Sequence, residues 1–225
     1  IGVAALLYAA ARRLGASPAA AVSCLAFVMI LAASRFMERP HIFTYLMTAA
    51  FLWLLARRRA GARAPLGAFV PLQILWANLH GGFILGPAIV LAAALASFLD
   101  GALGLHPAGP EAGARPRWRE AFTLSLLSAA LVAASLVNPY GAGLLRFPFQ
   151  LTGSAFMGEI YEWLPPFGSP FASTYMARYY VAWIAFGGAW LLLSLFFWRS
   201  RRLARPGGSF AALVFALFLV LWLRL

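Results

Sequence analysis

Apolar residues run almost unbroken through eight stretches, roughly 1–11, 19–34, 42–56, 66–79, 83–99, 120–137, 179–198 and 209–225. Several approach the ~20 residues that a helix needs to cross a ~30 Å hydrocarbon core. The pattern predicts an all-α protein, a polytopic transmembrane helical bundle. Stretches 66–79 and 83–99 are each short for a full crossing, and ILWANLHGGFILG (74–86) joins them. They predict a short broken hairpin that turns at His80, Gly81 and Gly82. Such a turn survives in a bilayer only where neighbouring helices or a wet cavity satisfy its backbone. Gly81 is the expected point of close backbone approach, where a bulky side chain would not fit.

Two Pro/Gly-rich runs, 103–117 and 199–208, read as loops. No internal repeat or coiled-coil heptad interrupts the pattern. NPYG (138–141) stops the helix before it, because Pro139 biases Asn138 away from helical geometry. After it, GLLRFPFQLTGSAFMGEIYEWLPPF (143–167) is apolar and aromatic without the length of a span. That segment is expected to lie along the extracytoplasmic membrane surface as an interfacial element.

Composition agrees: 63% of residues are hydrophobic, 11% are charged, and the mean hydropathy is +0.83. The net charge of +12 comes from 18 basic residues, all arginine. Nucleic acid is not the expected partner, because the arginines sit in short clusters between apolar runs. The partner they imply is the lipid bilayer. If the short hairpin counts as one pair of crossings, thirteen arginines fall on one face, from Arg12 and Arg13 through Arg57, Arg58, Arg59 and Arg63 to Arg205. That face is cytoplasmic by the positive-inside rule. Asp100, Glu111 and Glu120 share it and read as ordinary loop or helix-end charges. Cys24, the only cysteine, excludes a disulfide framework and a cysteine metal site. The chain reads as a single transmembrane region, 1–225, and as a fragment of a longer protein, because it opens and closes inside apolar runs.

The polar oddities emerge on the opposite, extracytoplasmic face. Arg35, Glu38, Arg39 and His41 crowd one loop; arginine there either anchors to headgroups or grips a phosphate in a fork. Asn78 and His80 occupy the hairpin tip, either as polar glue between helices or as ligand contacts. Asn138 follows, then Glu159 and Glu162. No Walker loop, GxSxG elbow, HExxH or CxxC is present.

RPH (39–41), WANLHGGFILG (76–86), NPYG (138–141) and EWLPP (162–166), in that order, resemble the GT-C superfamily of membrane glycosyltransferases. The resemblance covers about residues 35–170 and is nearest to bacterial protein mannosyltransferases and aminoarabinose transferases. It implies a multi-pass protein of the bacterial inner membrane and a polyprenyl-phosphate-linked sugar donor used on the extracytoplasmic face. It also implies an acidic catalytic residue in the first extracytoplasmic loop. Nothing before Glu38 fits, so that loop is expected upstream of Ile1, with Glu38 the weak candidate within the chain. On this expectation Arg35 and Arg39 hold the phosphate. His41, His80, Asn78 and Asn138 contact the donor, and Glu159 and Glu162 orient the acceptor or bind a divalent cation. A transporter or lipid flippase would place its site at the midplane of the broken hairpin. A non-catalytic subunit of an envelope assembly would need no acidic loop.

Overall fold

The computed structural model of the protein describes residues 1–32, 40–62, 64–102 and 117–152, together with 181, 185 and 188. Every regular element among them is helical. In chain order these are α1 (Gly2–Arg13), α2 (Pro18–Ala32), α3 (His41–Arg59), α4 (Phe69–Leu79), α5 (Leu85–Ala102), α6 (Arg117–Ala134) and α7 (Gly143–Thr152). A 3₁₀ turn over Leu66–Ala68 leads into α4, and a second over Gly81–Ile84 leads into α5. The helices follow the apolar stretches, displaced by a few residues at their ends. Pro18 takes the first turn of α2, where its missing N–H costs nothing, and Ser17 Oγ accepts from the Ala20 N–H at 3.1 Å. Apart from residues 181, 185 and 188, the last two apolar stretches lie outside the described residues.

The expected break is present. His80 leaves α4 in an extended conformation, φ −159° and ψ 143°, and the chain re-enters helix through Gly81–Ile84. One described helix, Gly81–Ala102 with its opening turn, is long and apolar enough to cross a membrane at 22 residues. The 12 residues of α1 rise only about 18 Å, and the 19 of α3 about 28 Å.

α5 packs most extensively on α6, and α1 on α3. The core between them is aromatic. Phe51 of α3 meets Phe69 edge-on at 5.0 Å and Trp76 at 5.5 Å, and all three are fully buried. Each such contact adds about 0.5–1.5 kcal/mol beyond area burial. Polar groups also lie inside. Gln73 is fully buried, and its Nε2 donates to the Phe83 carbonyl at 3.0 Å and to Ser135 Oγ at 2.8 Å. Pro87 has no N–H to return to that carbonyl in the helical pattern, so the glutamine supplies a donor the helix lacks. Ser128 Oγ in turn donates to the Pro87 carbonyl at 2.9 Å. Large apolar side chains face outward instead: Leu91, Leu95 and Phe98 on α5, Phe122 and Leu126 on α6. Large aromatic and aliphatic side chains fill the interior around these few polar groups, and the outward leucines and phenylalanines give the helices an apolar outer surface of the kind that meets lipid.

α3, α5 and α6 run between two polar ends. At one end Arg58 grips Glu120 with two bonds, Nε to Oε1 at 2.5 Å and Nη2 to Oε2 at 2.7 Å. Beside it Arg59 Nη2 donates to Asp100 Oδ2 at 2.6 Å, with both side chains at least nine-tenths buried. The expectation of ordinary helix-end charges at Asp100 and Glu120 is therefore corrected. Both carboxylates are spent on clamping α3 to α5 and α6. At the other end stand His41, the hairpin tip and the end of α6.

Candidate functional site

His41 and His80 come from different elements and meet at this second end. His41 is the first residue of α3, just after Pro40, and His80 is the break between α4 and α5. Their rings lie 4.7 Å apart, tilted by 55°. The structure thus joins the histidines of the RPH and LHGG motifs, which are 39 residues apart in the chain.

A chain of hydrogen bonds holds the His80 ring. Trp76 Nε1 donates to Thr44 Oγ1 at 3.1 Å, and Thr44 Oγ1 lies 2.8 Å from His80 Nδ1. The Gly82 backbone N–H donates to the same Nδ1 at 3.0 Å. The Gly82 N–H requires a lone pair on Nδ1, so the threonine hydroxyl donates its proton to His80 while its oxygen accepts from Trp76. Helical geometry supplies the pieces: Thr44 stands one turn after His41 on α3, and Trp76 one turn before His80 on α4. Burial, and then the neighbouring His41, holds the His80 imidazole below its ordinary range, so it is neutral at physiological pH. The same two donors into Nδ1 favour the neutral ring further.

The close approach at the turn belongs to Gly82, not to Gly81 as expected. A Cβ on Gly82 would lie 2.5 Å from Thr44 Oγ1 and 3.1 Å from His80 Nδ1. Gly81 has nothing within 4 Å of where its Cβ would be.

Asn78 and Asn138 sit nearby, and their amides are engaged by the frame. Asn78 Nδ2 donates to the Ile74 carbonyl and to the Val137 carbonyl, both at 2.8 Å. It ties the hairpin tip to the end of α6. Asn138 folds the NPYG turn onto itself: Nδ2 donates to the Ser135 carbonyl at 2.6 Å, and Oδ1 accepts from the Tyr140 N–H at 2.7 Å. Gly141 completes that turn at φ 53°, a left-handed conformation that favours glycine. The side-chain N–H groups of both asparagines serve carbonyls of the fold.

Arg35, Glu38 and Arg39 lie outside the described residues, as do Glu159 and Glu162. Among the described residues no group of three or more His, Cys, Asp or Glu side chains could hold a metal ion. Thr44 and Trp76 were not singled out by the sequence pattern. Thr44 occupies a helical position whose partner is 36 residues away, and Trp76 sits in an apolar run where tryptophan is unremarkable.

No protein-family model matches the chain, and no curated protein or solved structure is significantly similar to it.

Proposed function

We propose that the protein works as a multi-pass glycosyltransferase of the bacterial inner membrane. It would move a sugar from a polyprenyl-phosphate-linked donor to an acceptor hydroxyl on the extracytoplasmic face. The observation that carries this reading is the meeting of His41 and His80 at the end of the bundle opposite the Arg58–Glu120 and Arg59–Asp100 clamp. One end holds charge that is paired and structural. The other holds two imidazoles at a deliberate helix break, with Arg35 and Arg39 a few residues before His41 in the sequence. The multi-pass reading is supported by the outward-facing Leu91, Leu95, Phe98, Phe122 and Leu126. It is supported also by the alternation that brings the arginine-bearing end of α3 to the end of α5 and the start of α6.

In this reaction the acceptor oxygen attacks the anomeric carbon, the bond to the phosphate oxygen breaks, and the acceptor proton passes to a carboxylate. Charge develops on the departing phosphate and calls for fixed cationic and N–H donors. Arg35 and Arg39 would meet that charge, and His80 would add an N–H donor. Glu38 is the base candidate within the chain, and Glu159 and Glu162 would orient the acceptor or hold a divalent cation. Asn78 and Asn138 keep the frame in place.

The test is donor consumption by membranes carrying the intact protein, offered a panel of polyprenyl-phosphate-linked sugars. Release of polyprenyl phosphate is expected. It should be lost in Arg39→Ala and nearly as far in Arg39→Lys, because a point charge does not replace the guanidinium fork. Absence of turnover on every donor, from protein that inserts normally, would overturn the enzyme reading in favour of a structural subunit.

A further inference from the structure

We infer that His80 serves this site as a neutral hydrogen-bond donor through Nε2–H, its tautomer set by the Gly82 N–H, with Trp76 and Thr44 as the positioning residues that reinforce it. The ligand atom it fits is an oxygen acceptor, either of a phosphate or of a sugar hydroxyl. The tautomer rests on geometry alone, and the role toward a ligand rests on the reading proposed above.

The argument begins at Nδ1. A backbone N–H cannot reverse its polarity, so the Gly82 N–H at 3.0 Å requires a lone pair on His80 Nδ1. With that lone pair fixed, the Thr44 hydroxyl, 2.8 Å away on another helix, can only donate to it. Its oxygen stays free to accept from the Trp76 indole N–H at 3.1 Å, which holds the hydroxyl in place. Two donors therefore converge on one ring nitrogen. A proton placed there would face both, so the ring's single proton belongs on Nε2. No described residue accepts a hydrogen bond from that nitrogen. His80 is only partly buried, and it stands at the helix break.

This arrangement is unsuited to a general base. An imidazole that already carries its proton on Nε2, and whose Nδ1 lone pair is taken, has no free lone pair to offer an acceptor hydroxyl. It is suited to holding oxygen. Gly82 is integral to the device, because a Cβ there would collide with both Thr44 Oγ1 and His80 Nδ1.

The experiment has two arms on the full chain in lipid nanodiscs. In the first, histidine-labelled protein is examined by nitrogen NMR, with the His80 signals assigned by their loss in His80→Gln. A pyridine-type Nδ1 and a pyrrole-type Nε2 are expected at neutral pH. Thr44→Val should shift that balance toward a tautomer mixture. An Nδ1–H or doubly protonated His80 in the wild type would overturn the inference, whatever the protein's activity.

The second arm titrates a short-chain prenyl phosphate and, separately, an alkyl glycoside while following the Nε2–H proton. Movement with the first identifies phosphate oxygen as the acceptor, and movement with the second a sugar hydroxyl. No movement with either would overturn the ligand role. Where donor turnover is measurable, His80→Gln places an amide N–H near the Nε2 position and should retain most of it. His80→Asn and His80→Ala should lose about tenfold to a hundredfold, the range of a hydrogen bond to a charged group. Equal loss in all three, at unchanged thermal stability, would mark His80 as a base and sink the donor assignment. Absence of turnover in the wild type would count against the proposed function only, since the NMR arm reads the tautomer independently.

Discussion

A methyl group added at Gly82 would sit 2.5 Å from Thr44 Oγ1 and 2.9 Å from its methyl carbon, while one added at Gly81 would meet nothing within 4 Å. Gly82→Ala should therefore cost about 1–3 kcal/mol, the usual range for forced overpacking. Gly81→Ala should be neutral or slightly stabilising, since alanine narrows the unfolded ensemble without strain. Thermal unfolding of the two variants side by side checks this; a larger loss at Gly81 would contradict the geometry. The sequence pattern located the turn to the residue but not which glycine was crowded, because the crowding comes from Thr44 on another helix. His80 adds a pH dependence. Its folded pKa lies below the ordinary value of about 6.5, so the folded state binds fewer protons than the unfolded one. Its contribution is fully present above the ordinary value and is lost as pH falls through the folded value. Melting temperature should thus fall as pH drops below the ordinary imidazole range, and His80→Gln should flatten that slope. An unchanged slope in the variant would exclude His80 as its source.

At the scale of elements, helices were legible because their apolar stretches are long and bounded by Pro, Gly and arginine. The break at His80 was legible from its two glycines. The clamp at the far end was not. Arg58 and Arg59 belong to a run that reads as a topology signal, and their partners stand 62 and 41 residues away. Only tertiary packing shows that Asp100, 5% exposed, is an interior residue. Arg59→Met should therefore destabilise strongly, by about 3–5 kcal/mol, because it takes a hydrogen-bonded guanidinium away from a buried carboxylate. Arg59→Met with Asp100→Leu should recover most of that loss, since an apolar pair removes both charges. Unfolding in detergent distinguishes the two cases, and a double variant no better than the single would refute the explanation. Asn78→Ala is a milder test of the tip. Losing its bond to the Val137 carbonyl should cost about 0.5–1.5 kcal/mol and leave donor consumption intact. A drop in turnover at unchanged stability would return Asn78 to the site.

For the whole molecule, two ends of opposite character emerge from one alternating path. The arginine clusters, read as a charge pattern, sort to the same side as the clamp, and His41 and His80 to the other. Reporter tags after Arg63, Arg119 and Arg205 should all face the cytoplasm, and one placed within 165–175 should face outside. A cytoplasmic signal from the last position would put the site on the wrong side of the membrane. The paired end was partly legible, as arginine-rich. The site end was legible in its histidines, but their contact was not, because nothing in a linear pattern says that residue 41 meets residue 80.

The clamp also implies an order of events during synthesis. When Arg58 and Arg59 leave the ribosome, Asp100 and Glu120 do not yet exist; they follow 41 and 62 residues later. At about 5–20 residues per second, that interval is roughly 2–12 s. In a chain inserting as proposed, the two arginines spend this window without these two carboxylates, available to hold the end of α3 on the cytoplasmic side. Only afterwards are they drawn inward as the α5–α6 hairpin arrives. The same guanidinium groups would serve first as a retention signal and later as a fastener. Asp100→Asn should then loosen the finished bundle while leaving its orientation untouched.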